Sequence, residues 1–399
     1  MLGVLDNAIG RQVRNLRKDA DLTQVELATA AGVSVDVVRK AEQGRKIPSL
    51  PTLHKLASAL DVELSTLLSK PHTLPAPTEH SGVLAMRRAV SGIDDLLDAN
   101  PDVTQFTSAQ ARSAATYAWG SYWAGRYGHL GEVLPGMLLS VRAVDDPRID
   151  VLASRLYQVT ACTLVHLAQP DAAHLALREA MRLASRGDDP LQAAALRSSL
   201  AWLLLTQGRL AESRKLALST ARDIEPGDRA DLPRMSLWGS LLLSGATAAG
   251  RMGERDNAAH MLDQARQVAA HTGHRNDFET AFGPDQVTMQ AVGVDVVTEH
   301  YATALTTARK LPRTTPLPLA AKSRHLADRA LALSRLGRDE DATTTLLTMD
   351  HLAPDWMQYQ ALPRVVIGEL LQRERRRGSK LRELARRLQV TMPIGDTGK

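Results

Sequence analysis

The chain of 399 residues has a single cysteine, Cys162, so no disulfide framework forms within it, as suits a reducing compartment. Cys162 lies in the apolar stretch from Val159 to Leu167 and reads as a buried structural thiol. Aromatic residues are scarce at 4%, which points to helices packed through Ala and Leu. No apolar run approaches about 18 residues without a charge, so no transmembrane helix is expected. Met1 to Gly10 lacks the basic start and apolar centre of a signal peptide, and a cytoplasmic location is expected. Catalytic signatures are missing as well: there is no P-loop, no Gly-rich dinucleotide turn, no H-E-x-x-H and no G-x-S-x-G. His271 and His274, three apart, and His166 and His174, eight apart, lack the spacing and partners of a zinc site and read as core or surface residues. The expectation is a protein that is not an enzyme and carries no cofactor or metal.

The hydrophobic fraction, 44%, is that of a folded globular protein. Net charge is +5, unevenly placed: residues 1–70 carry ten basic and eight acidic groups, and Leu371 to Arg387 carries eight basic and two acidic. The body between them is slightly acidic.

Three stretches are discernible. Residues 1–70 hold five short helical patterns, residues 71–82 are rich in Pro and polar groups and read as a linker, and residues 83–399 alternate helical patterns with Gly, Pro and Asp breaks. β-branched alternation is absent, so the fold is expected to be all-α.

In the first stretch Ile9, Val13, Leu16 and Ala20 share one helical face. Thr23 and Glu26 form a capping-box pattern for a second helix burying Leu27, Ala28 and Ala31. Gly32 permits a left-handed turn, Val33 plugs the corner, and Ser34 caps a third helix anchored by Val38 and Ala41. Ser49 starts a fourth helix with Pro51 in its first turn, and Val62 to Leu68 is a fifth. The third helix leaves Val35, Asp36, Val37, Arg39 and Lys40 on its free face, which a helix entering a major groove requires.

The strings Leu22-Thr-Gln-Val-Glu-Leu-Ala28, Ala31-Gly-Val-Ser34, Ala41-Glu-Gln-Gly44 and Pro48-Ser-Leu-Pro-Thr-Leu53 resemble the Xre family of lambda-repressor-like helix-turn-helix domains, over residues 5–69. The resemblance implies that residues 1–70 are a five-helix lambda-repressor-like DNA-binding domain. It implies that Gln24 contacts a phosphate and braces the reading helix, and that Ser34 contacts a phosphate. Val35, Asp36, Val37 and Lys40 stand where the family reads bases, and Arg39 lies near the backbone or a guanine edge. Arg17 and Glu42 stand where the family often joins helices one and three by an ion pair. Polar readers are often found where Val35 and Val37 stand, and apolar side chains there touch only thymine methyls. Readout is therefore expected to lean on Arg39, Lys40 and DNA shape. Arg45 and Lys46 are placed for phosphates, with Arg11 and Arg14 as weaker candidates or plain solubilising charge. A net charge of only +2 over residues 1–70 favours binding as a dimer.

Beyond the linker a loose repeat recurs. Turns at Gln169, Gly208, Gly253 and Gly337 each lead into a helix with small or apolar residues seven apart: Ala173 and Ala180, Ser213 and Thr220, Ala258 and Ala265, Ala342 and Met349. The wide gap between Gly253 and Gly337 leaves room for a further unit turning near Val294. A two-helix period near 40 residues means an α-solenoid of helix pairs, with a plain helical bundle as the alternative. Residues 105–372 resemble degenerate tetratricopeptide repeats, with Tyr117-Ala-Trp-Gly-Ser-Tyr-Trp123 in a more aromatic first unit. The amphipathic basic segment 370–390 has three readings: a cap on the solenoid, a dimer contact, or a second nucleic-acid contact.

An Xre domain followed by such repeats resembles large actinobacterial regulators and the peptide-responsive quorum-sensing regulators of Gram-positive bacteria. Thr280-Ala-Phe-Gly-Pro-Asp-Gln-Val287 looks like a stretch common in the actinobacterial group, with Asp285 and Gln286 where an Asn often stands. The resemblance implies a dimeric, sequence-specific transcriptional regulator that binds a double-stranded DNA operator. It also implies that the concave face of the solenoid takes a small-molecule or peptide effector, with no membrane partner. Arg197, Trp202, Trp238, Asp285, Gln286 and Met289 are the candidate lining residues; each is equally readable as a core or surface residue. The alternative function is a protein-interaction adaptor whose repeats hold a protein partner.

Overall fold

The computed structural model describes residues 2–390 except 21, 46–47, 61, 63–66, 68–76, 93–103, 145, 188, 228–230, 313 and 375–378. Among the described residues there is no strand; helices of a helix-turn-helix domain are followed by helical repeats. The first four helices are α1 (Leu2–Asp19), α2 (Gln24–Ala31), α3 (Val35–Glu42) and α4 (Leu50–Ala59). They meet around the buried Val13, Leu27, Val38, Leu53 and Leu56. Thr23 and Glu26 form a reciprocal capping box, and Gly32 ends α2 at φ +59°. Ala20 is exposed instead of buried, because α1 stops at Asp19. Gly10 rests against the Ala41 carbonyl, where any Cβ would collide, so its missing side chain lets α1 cross closely over α3. The expected fifth helix lies largely outside the described residues; Leu67 is described and fully buried.

The segment expected to be a linker to residue 82 is helical from Pro77 on: α5 spans Pro77–Ser91. Proline at a first helical position costs no hydrogen bond, which a reading of Pro as a breaker overlooks. Gly82 of α5 packs against α7, a Cβ there falling 3.1 Å from the Gly131 carbonyl carbon, so α5 forms the first layer of the repeats.

Six antiparallel pairs follow: α6 (Ser108–Trp123) with α7 (Tyr127–Arg142), α8 (Pro147–His166) with α9 (Pro170–Ala184), α10 (Pro190–Thr206) with α11 (Leu210–Asp223), α12 (Leu232–Arg251) with α13 (Arg255–Thr272), α14 (Pro284–Val297) with α15 (Tyr301–Ala308), and α16 (Leu319–Arg335) with α17 (Asp339–Leu352). Between the two helices of every pair stands one left-handed residue: Gly125, Ala168, Gly208, Gly253, Glu299 and Gly337. The unit expected to turn near Val294 turns at Glu299; Val294 lies inside α14, 4% exposed. The turn escaped the sequence because a glutamate occupies the position that glycine marks in four of the six pairs. All eight residues of the seven-residue spacing are buried to 1% exposure or less. Small side chains there let the helices of a pair approach closely, and Ser213 Oγ donates to the Ala201 carbonyl at 2.7 Å across one such contact.

The array then closes on itself. α16 packs against α6, and α18 (Pro354–Gln358) packs against α7. Gln360 and His166 meet at 3.1 Å, and Trp123 Nε1 donates to Glu279 at 3.0 Å. α19 (Ala361–Arg373) and α20 (Lys380–Arg387) complete the far end. α20 turns Leu381, Leu384 and Ala385 inward against α17 and α19, with Arg387 paired to Asp350, the geometry of a cap.

The left-handed turns yield a stability prediction. Nothing lies within 4 Å of a Cβ built on Gly253 or Gly337. Gly253→Ala and Gly337→Ala therefore act on the backbone alone and should each lower stability by about 1–2 kcal/mol. Glu299→Gly relieves the same conformation and should raise stability by a smaller amount. Urea midpoints of the three variants check the signs; an unchanged midpoint in both alanine variants refutes the account.

Candidate functional site

The third helix presents an open face. Val38, Ala41 and Glu42 point inward and are buried, while Asp36, Arg39 and Lys40 are exposed and Val37 is half-buried. Ser34 accepts from the Val37 amide at 3.4 Å, so its oxygen caps the helix while its hydroxyl proton stays free to donate outward. Arg39 makes no hydrogen bond or close ion pair among the described residues, though its charge also draws the Asp36 carboxyl down, and Arg45 makes none either and is exposed just past the helix. Lys46 lies outside the described residues. Two of the expected readers are constrained. Val35 leans on the domain core, which leaves it little surface to offer a base. Asp36 and Lys40 pair with each other at 2.7 Å, both about half exposed, so Asp36 offsets the charge of Lys40. The Lys40 hydrogen bond holds the Asp36 carboxyl below its ordinary pKa.

The orientation of this helix depends on Glu42. Its carboxylate, 3% exposed, receives Arg17 Nε at 2.6 Å. The second Arg17 nitrogen reaches it at 3.1 Å and Gln24 Nε2 at 2.8 Å. A third Arg17 nitrogen donates to the Leu22 carbonyl at 2.6 Å. One carboxylate thus ties α1, the α1–α2 turn, the start of α2 and the end of α3 together. Burial opposes its charge, but the hydrogen bonds from Arg17 and Gln24 prevail and hold its pKa below the ordinary value. Gln24 is tied to the end of α3 through this bond.

A second feature lies inside the closed array: a cavity of about 330 Å³ lined chiefly by the first helices of the pairs. Trp202, Gln286 and Met289 line it, as expected. Three other candidates do not. Arg197 pairs with Asp223 at 2.9 Å on the surface. Trp238 faces a separate shallow groove with Leu218 and Gln264. Asp285 is buried against His274 at 3.2 Å, holding the ends of the α13–α14 connection together. That connection is the sequence stretch singled out around Phe282, and it forms one wall through Phe278, Glu279 and Thr280. Phe278, Glu279 and Ala281 all take positive φ, a run of left-handed non-glycine backbone against the cavity.

Several lining groups carried no sequence signal, because their partners lie on other helices that no spacing rule connects to them. Glu279 accepts from Trp123 at 3.0 Å and Arg155 at 3.2 Å. His166 stacks on Tyr127 at 4.1 Å, and burial pushes its pKa down to about 3, so it is a neutral joint and not a titrating group near pH 7. Burial likewise pushes the Cys162 thiol up to about 12, which leaves it protonated. Among the described residues no group of three or more His, Cys, Asp or Glu is placed to hold a metal ion, and no helix is long and apolar enough to cross a membrane.

Comparison with known proteins assigns the N-terminal helices. The helix-turn-helix family HTH_3 matches residues 13–67, and this stretch is an Xre-like helix-turn-helix domain. An immunity repressor protein of Bacillus phage phi105 is 36% identical over 62 residues, 16% of this chain and 43% of the repressor. The HTH-type transcriptional repressor RghR of Bacillus subtilis (strain 168) is 38% identical over 64 residues, 16% of this chain and 47% of that protein. Multiprotein-bridging factor 1 of Candida albicans is 38% identical over 60 residues, 15% of this chain and 40% of that factor. The chain spans under half the length of these relatives. Among solved structures, Bacillus thuringiensis PlcR in complex with the peptide PapR7 and DNA is 12% identical, covering 76% of this chain and 95% of PlcR. Its TM-score of 0.33 is too low to carry an argument about this chain.

The Glu42 network yields a second prediction. Arg17→Met strands a buried carboxylate and should destabilise the N-terminal domain by about 3 kcal/mol, whereas Arg17→Met with Glu42→Leu should recover most of the loss. Because the folded pKa of Glu42 is depressed, its contribution is fully present above the unfolded carboxylate pKa and is lost as pH falls through the folded one. Urea midpoints followed below pH 5 should therefore fall less steeply in Glu42→Gln than in the parent chain. Equal slopes count against the network.

Proposed function

We propose that the chain is a DNA-binding transcriptional regulator acting as a dimer in the cytoplasm, with its helical array sensing an effector. The observation that carries this reading is the exposed face of α3, with Arg39 free of close ion pairs among the described residues and Asp36, Val37 and Lys40 beside it, on a domain whose sequence matches a helix-turn-helix family. In the proposed complex α3 lies in the major groove. Arg39 and, when released from Asp36, Lys40 reach base edges; Ser34, Arg45 and Lys46 meet phosphates. Two such helices about 34 Å apart would read a pseudo-palindromic operator. The effector would act by binding the array more tightly in one arrangement of the two DNA-binding domains than in another.

The adaptor reading has less support. The inner side of the array holds a cavity of about 330 Å³, the size of a small-molecule site.

The test starts from an operator selected by the full chain from random duplexes. Arg39→Ala should lower affinity for it by about 1–3 kcal/mol while changing binding to unrelated DNA far less. Asp36→Ala should strengthen binding to any duplex, because it frees the Lys40 charge. If no sequence is enriched, or Arg39→Ala binds the operator as the parent does, the regulator reading fails.

A further inference from the structure

We infer that the central cavity is a binding site for a small aromatic acid, a compact molecule with one flat ring system and one carboxylate, and not for an extended peptide; this deepens the effector part of the regulator reading and rests on it.

The charge balance around the cavity points to an anion. Arg251 and Arg324 line it, and Arg155 stands behind Glu279 in its wall. Two acids, Glu279 and Asp328, stand among the lining residues. Glu279 is taken up from outside the lining by Arg155 at 3.2 Å, and Asp328 sits 3.5 Å from Arg324 while also attracting Arg251. Arg251 thus shares a carboxylate and has no close ion pair of its own among the described residues. Arg251 donates one nitrogen to the Leu205 carbonyl at 3.1 Å, and its buried Nε has no partner. Burial draws its pKa down to about 10, so it remains charged at neutral pH. Arg324, half exposed, lines the cavity and carries more donors than its Asp328 contact uses. A guanidinium with a buried, unfilled donor is costly unless an acceptor, best an anionic one, meets it.

Shape and surface specify the rest. Trp123, Trp202 and Phe278 line the cavity and offer ring faces. Gln286 Oε1 and His325 Nδ1, both lining residues, have no hydrogen-bond partner; His325 is 6% exposed, and burial pushes its pKa down to about 4, so it is a neutral donor or acceptor. About 330 Å³ accommodates a small molecule. An extended peptide of six residues spans about 20 Å, long for a cavity of about 330 Å³.

The probes are indole-3-acetate and benzoate, each beside its neutral amide, titrated into the full chain by calorimetry and by quenching of tryptophan fluorescence. At least one acid should bind and quench, with its amide at least tenfold weaker. Arg324→Gln, at a half-exposed position, should collapse that preference while leaving the far-ultraviolet circular dichroism of the parent, with a lower melting temperature because Asp328 loses its partner. Acid and amide of equal affinity, a preference that survives Arg324→Gln, or no binding of either acid at millimolar concentration would each overturn the assignment. Operator selection reads a separate property: acid binding without any enriched operator upholds the cavity site while removing the regulator reading, and an operator bound by a chain indifferent to both acids does the reverse.

Discussion

Each helix pair reverses direction through one residue in left-handed backbone, and the architecture of the array follows from that constraint. The reversal brings the second helix back along the first at close range. Only small side chains fit between them, which is why Ala173, Ala180, Ser213, Ala258 and Ala265 are buried where larger groups would force the helices apart. Repeating this tight reversal six times, 38 to 46 residues apart, accumulates curvature until α16 meets α6. Four of the reversals use glycine; Ala168 and Glu299 accept the strain because the packed helices on either side over-determine the turn.

Closure changes what the concave face can be. An open solenoid offers a long groove with solvent along its length. Here the aromatic first pair, the α13–α14 connection and the C-terminal segment face one another across a short distance, and polar groups remote in sequence become neighbours. Glu279 is the clearest case: a left-handed residue in an irregular connection accepts hydrogen bonds from the first and second pairs at once. The strain of the connection is retained where it shapes the cavity wall.

The N-terminal domain solves a separate problem with one carboxylate. A reading helix is useful only if its inner face is held rigidly while its outer face stays bare. Three apolar or buried positions of α3 do part of this, and the Glu42–Arg17–Gln24 network sets the rest by linking both ends of the helix-turn-helix to α1. A close approach at Gly10 brings α1 near enough for the link to form.

Local patterns in the sequence carried much of this. The capping box at Thr23, the turn at Gly32, the free face of α3 and the buried seven-residue spacing were legible, because each depends on residues within a helix or two of one another or on a regular spacing; the Arg17–Glu42 pair was expected only from the family resemblance. The Glu299 turn and the start of α5 at Pro77 were not, since residue type there argues for another local structure and tertiary packing overrides it. The cavity was legible only in part: Trp202, Gln286 and Met289 face it, whereas Arg197, Trp238 and Asp285 are taken up by neighbours that no spacing rule connects to them. By itself the sequence determined an all-helical chain with a helix-turn-helix domain and paired repeats, since those rest on short-range periodicity and capping. Ring closure, the burial of Arg251 Nε inside it and the identity of the groups around it were decided by tertiary structure alone, because each small rotation between pairs adds to the next and only their sum brings α6 and α16 together.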